Sequence, residues 1–193
     1  MERKYRQTLL TNESYNVLSE AKSLLRKELN RRMSLSDTIL FLFRTNINFL
    51  SINGEIREYI LTFVRELSKD PNVTGVVLFG SVAKKTFNRY SDIDLFIVVR
   101  ERALDYFEKC IKIEHEMKNE TANIRKTGYS LYVSPLVIEE RQLGEIRPMY
   151  FDIADYGISL YDRKGALSKF LYKIAAIPHE RKVINGAAVL TWK

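Results

Sequence analysis

The stretch Val73–Val99, VTGVVLFGSVAKKTFNRYSDIDLFIVV, constrains this chain more than any other. Its two apolar runs, Val76 to Phe79 and Leu95 to Val99, are short, rich in β-branched and aromatic residues and bounded by turn residues, the pattern of buried strands. Gly80-Ser81 closes the first run, and Asp92 and Asp94 open the second. Side chains alternate across a strand, so Asp92 and Asp94 point the same way and put two carboxylates side by side. Such a pair repels itself unless a cation neutralises it. Mg²⁺ takes oxygen ligands and is commonly held by one or two carboxylates plus substrate phosphates, so Asp92 and Asp94 are candidate ligands of a triphosphate-bound metal.

Gly80-Ser81 supplies the other half of such a site. A glycine directly after a strand lets the backbone turn sharply and approach a phosphate, and Ser81-Val82-Ala83-Lys84-Lys85 can open a helix whose free N–H groups favour an anion. The Ser81 hydroxyl adds a donor, and Lys84 or Lys85 adds positive potential opposite the carboxylates. Gly80, Ser81 and Lys84 are therefore the candidate nucleotide-binding residues.

Gly80-Ser81-Val82-Ala83-Lys84 followed by Ser91-Asp92-Ile93-Asp94-Leu95 resembles the signature of the polymerase-β-type nucleotidyltransferase superfamily, particularly its minimal members. The likeness is close over Val73–Val99. It continues more loosely in FDIADYGISLYDRKGALSKFL, which resembles the ending of small archaeal proteins of this group. The resemblance implies an α+β fold with a mixed sheet and helices on one side. It also implies Mg-dependent transfer of a nucleoside monophosphate from an NTP, with ATP the first candidate, to a hydroxyl of a protein or RNA acceptor. Asp92 and Asp94 would be its catalytic residues and would hold two Mg²⁺ ions about 3.5–4 Å apart. Members of the superfamily usually carry a third carboxylate on a neighbouring strand. The expected strand, Tyr129 to Ile138, contains none, and Glu139, Glu140 and Asp152 are the nearest downstream candidates, each also readable as an exposed helix residue.

The formal net charge of +7 favours an anionic partner. A single cysteine, Cys110, forms no internal disulfide, and with no secretory h-region and no long apolar run the expectation is a cytoplasmic protein without membrane contact. The N-terminal part reads differently from the rest. Residues 5–10 can form a short strand. Tyr15, Leu18, Ala21, Leu25 and Leu29 recur at helical spacing, and Ser34 opens a second helix with Leu35, Ile39, Leu40, Phe43, Ile47 and Leu50 on one face. This order resembles a ribbon-helix-helix module, assigned to residues 1–52, ahead of a nucleotidyltransferase domain over 55–193. The resemblance implies a homodimer with paired strands and DNA contacts from Tyr5, Gln7 and Leu9. A plain helical hairpin that dimerises without touching DNA fits the same pattern. The two resemblances together admit an alternative function, an antitoxin-like DNA-binding regulator of a toxin–antitoxin pair, whose transferase domain only binds nucleotide or serves as a scaffold.

Further along, the chain reads as a helix over GEIREYILTFVRELSKD, a helix over 102–118, a third strand over 129–138, a short helix over 148–156, a strand over 158–161 and a helix over 165–177. KVINGAAVLTWK closes the chain as a hairpin around Asn185-Gly186. His115 and His179 receive no role.

Overall fold

The computed structural model describes residues 52–126, 128–129, 132–184 and 187–192, together with scattered positions between 15 and 35. The chain divides into two units, Met1–Arg44 and Thr45–Lys193. In the first, Tyr15, Asn16, Leu18–Glu20, Lys22, Ser23, Arg26 and Leu35 are helical, in keeping with the periodicity. The strand expected over 5–10 and the DNA-contact set Tyr5, Gln7 and Leu9 lie outside the described residues.

The second unit begins with α1 (Gly54–Ser68). The Asn53 side chain caps it by accepting a hydrogen bond from the Glu55 N–H at 2.9 Å. Ile56, Tyr59, Ile60, Phe63, Val64 and Leu67 fall on one face and are buried, each contributing roughly 1.5–3 kcal/mol of apolar transfer. After the turn at Pro71 come β1 (Val73–Phe79), α2 (Gly80–Lys84) and β2 (Ile93–Val99). Then follow α3 (Asp105–Glu116), α4 (Lys118–Lys126), β3 (Val133–Glu139), a 3₁₀ turn (Glu140–Gly144), α5 (Pro148–Tyr156), β4 (Ile158–Asp162), α6 (Ala166–Ala175), β5 (His179–Ile184) and β6 (Ala187–Trp192).

Four strands form one sheet in the order β3-β2-β1-β4, and β5 with β6 forms a separate hairpin. β1 pairs antiparallel with β2 and with β4, whereas β2 and β3 are parallel, so the sheet is mixed as expected. Helices cover both of its faces, not one. Val76, Leu78, Leu95 and Ile97 pack with α1, α3 and α4, while Val77, Phe96 and Val98 pack with α5 and α6. That sandwiching is why β1 and β2 read as continuous apolar runs with no alternation. α6 packs tightly over Gly75, where a Cβ would lie 2.6 Å from Leu167 Cδ2.

Two boundaries depart from the sequence reading. The single helix expected over 102–118 is broken at Met117 (φ −89°, ψ 32°), and α4 follows it. KNETANIRK buries only Ile124, so α4 carries almost no apolar periodicity to read. β3 starts at Val133, not at Tyr129, because Tyr129 and Tyr132 face other partners: the Tyr129 ring packs 5.8 Å from Phe87, and the Tyr132 hydroxyl accepts from Arg125 at 3.2 Å. Among the described residues no helix is long and apolar enough to cross a membrane.

Candidate active site

β1 ends and β2 begins at the same edge of the sheet, and the register places Phe79 opposite Asp94. The next residue, Gly80, therefore turns against that carboxylate. Its φ is +69°, and a Cβ built on it would lie 1.9 Å from Asp94 Oδ2 and 2.7 Å from Cγ. Both the left-handed backbone and the close approach demand glycine. The turn leads straight into α2, which buries Val82 and Ala83 and ends with Lys85 in the left-handed region (φ 60°). The sequence-predicted Gly80 and Asp94 are thus in contact, with Ser81 following the one in the chain and Asp92, which lies just before β2 and not on it, acting electrostatically on the other.

Asp94 is half-buried, and Asp92 is exposed. Burial pushes the Asp94 carboxyl above its usual range, and the neighbouring Asp92 charge pushes it the same way. Neither carboxylate has an ion-pair partner among the described residues, where Lys84, Lys109, Arg141, Arg147 and Arg181 are all engaged elsewhere. By strand parity Asp94 faces the α5 side of the sheet, as Phe96 and Val98 do.

Lys84 is placed differently. Its ammonium pairs with Asp152 of α5 and lies 5.1 Å from the Tyr156 ring centroid. Arg181 of β5 pairs with the other oxygen of Asp152 and with Asp155 Oδ2 at 2.8 Å, and His179 Nε2 lies 2.9 Å from the same Asp155 oxygen. Burial alone would raise the Asp152 carboxyl, but the hydrogen bonds from Lys84 and Arg181 outweigh it and hold the group below its usual range. A cleft of about 290 Å³ opens between these elements, lined by Phe79, Gly80, Met149, Asp152, Arg181 and Leu190 among others.

Of the third-carboxylate candidates, Asp152 is committed to Lys84 and Arg181. Glu139 stands opposite Val99, at the far end of β2 from Asp94, and Glu140 follows it. The residue in register with Asp94 on β3 is Ser134, which is exposed. The sequence reading missed Arg181 and Asp155 altogether. Asp152, Asp155 and Tyr156 stand at helical spacing and so share a face, but nothing local marks a β5 arginine as their partner.

The remaining reactive groups sit elsewhere. Cys110 is buried on the α1 side, and burial together with the Glu114 charge pushes its thiol up to about 12, so it is no nucleophile at neutral pH. His115 lines a larger hollow of about 800 Å³ between α3 and α4, on the opposite side of the sheet from Asp94. The hollow holds neither carboxylate, so size alone is a poor guide to the chemistry here.

Residues 57–126, from α1 through α4, match the family model described as a nucleotidyltransferase domain. With the mixed-sheet α+β fold, that match over part of the chain supports a transferase enzyme. A relative from Methanocaldococcus jannaschii, bearing the name of a protein adenylyltransferase, is 24% identical over 147 residues, which are 74% of this chain and 93% of the relative. Solved structures with a similar course include a chain of a toxin–antitoxin assembly with AMP-PNP (TM-score 0.41, 17% identity, 63% of this chain and 84% of that one). Another belongs to a complex of an MNT antitoxin with a tri-AMPylated HEPN toxin of Shewanella oneidensis (TM-score 0.36, 14% identity, 67% of this chain and 82% of that one).

Proposed function

We propose that this protein transfers AMP from ATP to a hydroxyl of a protein acceptor. The observation that carries the reading is the carboxylate pair Asp92 and Asp94, without an ion-pair partner among the described residues, with Gly80 turned against Asp94. The name of the archaeal relative supports both the adenylyl donor and the protein acceptor.

The donor set suits Mg²⁺. Asp94 on β2 and Asp92 just before it offer two neighbouring carboxylates, one disfavoured as an isolated anion, which are oxygen ligands of the kind Mg²⁺ takes. Asp92 and Asp94 would hold the ion, which neutralises triphosphate charge and polarises the α-phosphate when bound. The chain's own residues do the positioning. The Gly80 and Ser81 backbone N–H groups and the Ser81 hydroxyl donate to phosphate oxygens. The acceptor oxygen bonds to the α-phosphorus, the bond from that phosphorus to the bridging oxygen of the β-phosphate breaks, and pyrophosphate leaves with the electron pair. The residue in register with Asp94 on β3 is Ser134, not a carboxylate, and the hydroxyl proton passes to water.

Incubation of the protein with α-labelled ATP, Mg²⁺ and an extract of the cells that encode it tests the reading. A labelled protein band that is lost on chelation and in the Asp94→Asn variant is expected. A label that resists protease but not ribonuclease would move the acceptor to RNA. An unlabelled extract despite intact ATP binding would instead favour the regulator whose transferase domain only senses nucleotide.

A further inference from the structure

Asp152 lies close enough to Gly80 to line the same cleft, yet its bonding is not that of a metal ligand awaiting an ion. One oxygen takes the Lys84 ammonium and the other the Arg181 guanidinium. Arg181 reaches back with its second nitrogen to Asp155, 2.8 Å away, so the guanidinium bridges two α5 carboxylates that are three residues apart. The Tyr156 ring carries both cations, with Lys84 at 5.1 Å and Arg181 at 5.2 Å from its centroid. On the far wall of the cleft Val189 and Leu190 of β6 bring the same hairpin up to Gly80.

Lys84 is the last residue of a five-residue helix whose first residue is Gly80. So short a helix has little hydrogen bonding of its own and only Val82 and Ala83 to anchor it, so a partner at its end fixes its position. We infer that Asp152 is a positioning residue of the nucleotide site. Together with Arg181 of the C-terminal hairpin it holds Lys84, and through Lys84 it sets the Gly80-Ser81 turn at the separation from Asp94 that a triphosphate requires. The inference rests on the nucleotide reading of the site, and it makes β5 and β6, which lie beyond the matched segment, part of the working enzyme.

Calorimetric titration of the full chain with Mg·ATP tests it, with Asp152→Asn, Arg181→Met, their double variant, Arg181→Lys and Lys84→Met. Asp152→Asn and Arg181→Met should each raise Kd by roughly 10- to 100-fold, as loss of a residue that orients a ligand commonly does. The double variant should be no weaker than the poorer single one, because both act through one contact. Arg181→Lys should recover part of the loss. Lys84→Met reaches the same contact from the other side, so the test stands even if Asp152→Asn fails to fold. Should Asp152→Asn abolish Mg²⁺ dependence while Arg181→Met is silent, Asp152 is a metal ligand and the inference falls. A drop in Tm with unchanged Kd across the series would also overturn it, leaving a purely structural clamp. Failure of the wild type to bind Mg·ATP at millimolar concentration would sink the nucleotide reading itself, a result visible before any variant is made.

Discussion

Two acidic pairs lie on the α5 side of the sheet and have opposite fates. Asp94 stands near the start of β2 with Asp92 just before the strand, neither has a cationic partner among the described residues, and burial together with the Asp92 charge pushes Asp94 toward protonation. Asp152 and Asp155 stand three apart on a helix and are saturated by Lys84, Arg181 and His179. Coulomb's law makes the first pair mutually repulsive and draws the second to its cations. Under the proposed function, the difference separates the carboxylates that would take a ligand from those that hold the architecture.

The sharpest break of that comparison is Asp94→Asn. Transfer should fall by roughly a thousandfold, since the neutral amide withdraws charge from the reacting phosphate in a partly desolvated site. Stability should move the other way. The folded-state pKa of Asp94 is raised, so its ionised form is disfavoured by folding, and removing the charge should raise Tm slightly in the absence of nucleotide. A loss of Tm in scanning calorimetry would mean that Asp94 is structural and would erase the contrast with Asp155. Asp155→Asn, by comparison, leaves Arg181 and His179 short of a partner and should lower Tm by a few degrees.

Gly80→Ala probes the same contrast through the backbone. The added Cβ meets the Asp94 carboxylate, not a flexible chain end, and the left-handed φ adds strain. A displacement of the carboxylate by about an ångström should cost roughly 10²-fold in turnover, read from initial rates at saturating Mg·ATP. Unchanged turnover would show that Asp94 does not need the position that Gly80 gives it.

How much of this was legible in the sequence follows from how local each feature is. β1, α2 and β2 were readable because Gly80-Ser81 and Asp92-Ile93-Asp94 act within one turn of chain, and α5 was readable to the residue because Pro148 and Gly157 punctuate it. α4 was not, since it buries only Ile124. The placement of helices on both faces was hidden as well, because Leu167, Phe170 and Ile174 give α6 an apolar stripe without naming the side of the sheet it will cover. The pairing of Asp152 with Arg181 spans 29 residues, and that of Lys84 with Asp152 spans 68. No local pattern encodes contacts at that range, so the candidate site was visible as a carboxylate pair and a phosphate turn but not as a turn held from the far end of the chain.

Asp70 offers the mildest and cleanest sharpening, being a saturated carboxylate remote from the cleft. It accepts hydrogen bonds from the Tyr106 hydroxyl at 2.6 Å and the Asn72 N–H at 2.9 Å, and it pairs with the Lys109 ammonium. Burial alone would raise its carboxyl, but these donors, Lys109 foremost, hold it down at about 2 against an ordinary value of 3.8. A depressed folded-state pKa contributes stability that is present above the unfolded value and lost as pH falls through the folded one. Asp70 should therefore stabilise the protein above about pH 4 and cease to do so near pH 2. Allowing for its partial exposure, Asp70→Asn should cost about 1 kcal/mol at neutral pH, and the gap from wild type in urea midpoints should close as pH drops across that window. Nucleotide binding and transfer should be untouched. A transfer defect in Asp70→Asn would mean that saturation by cations does not mark a carboxylate as architectural, and Asp152 and Asp155 would then have to be judged by position alone.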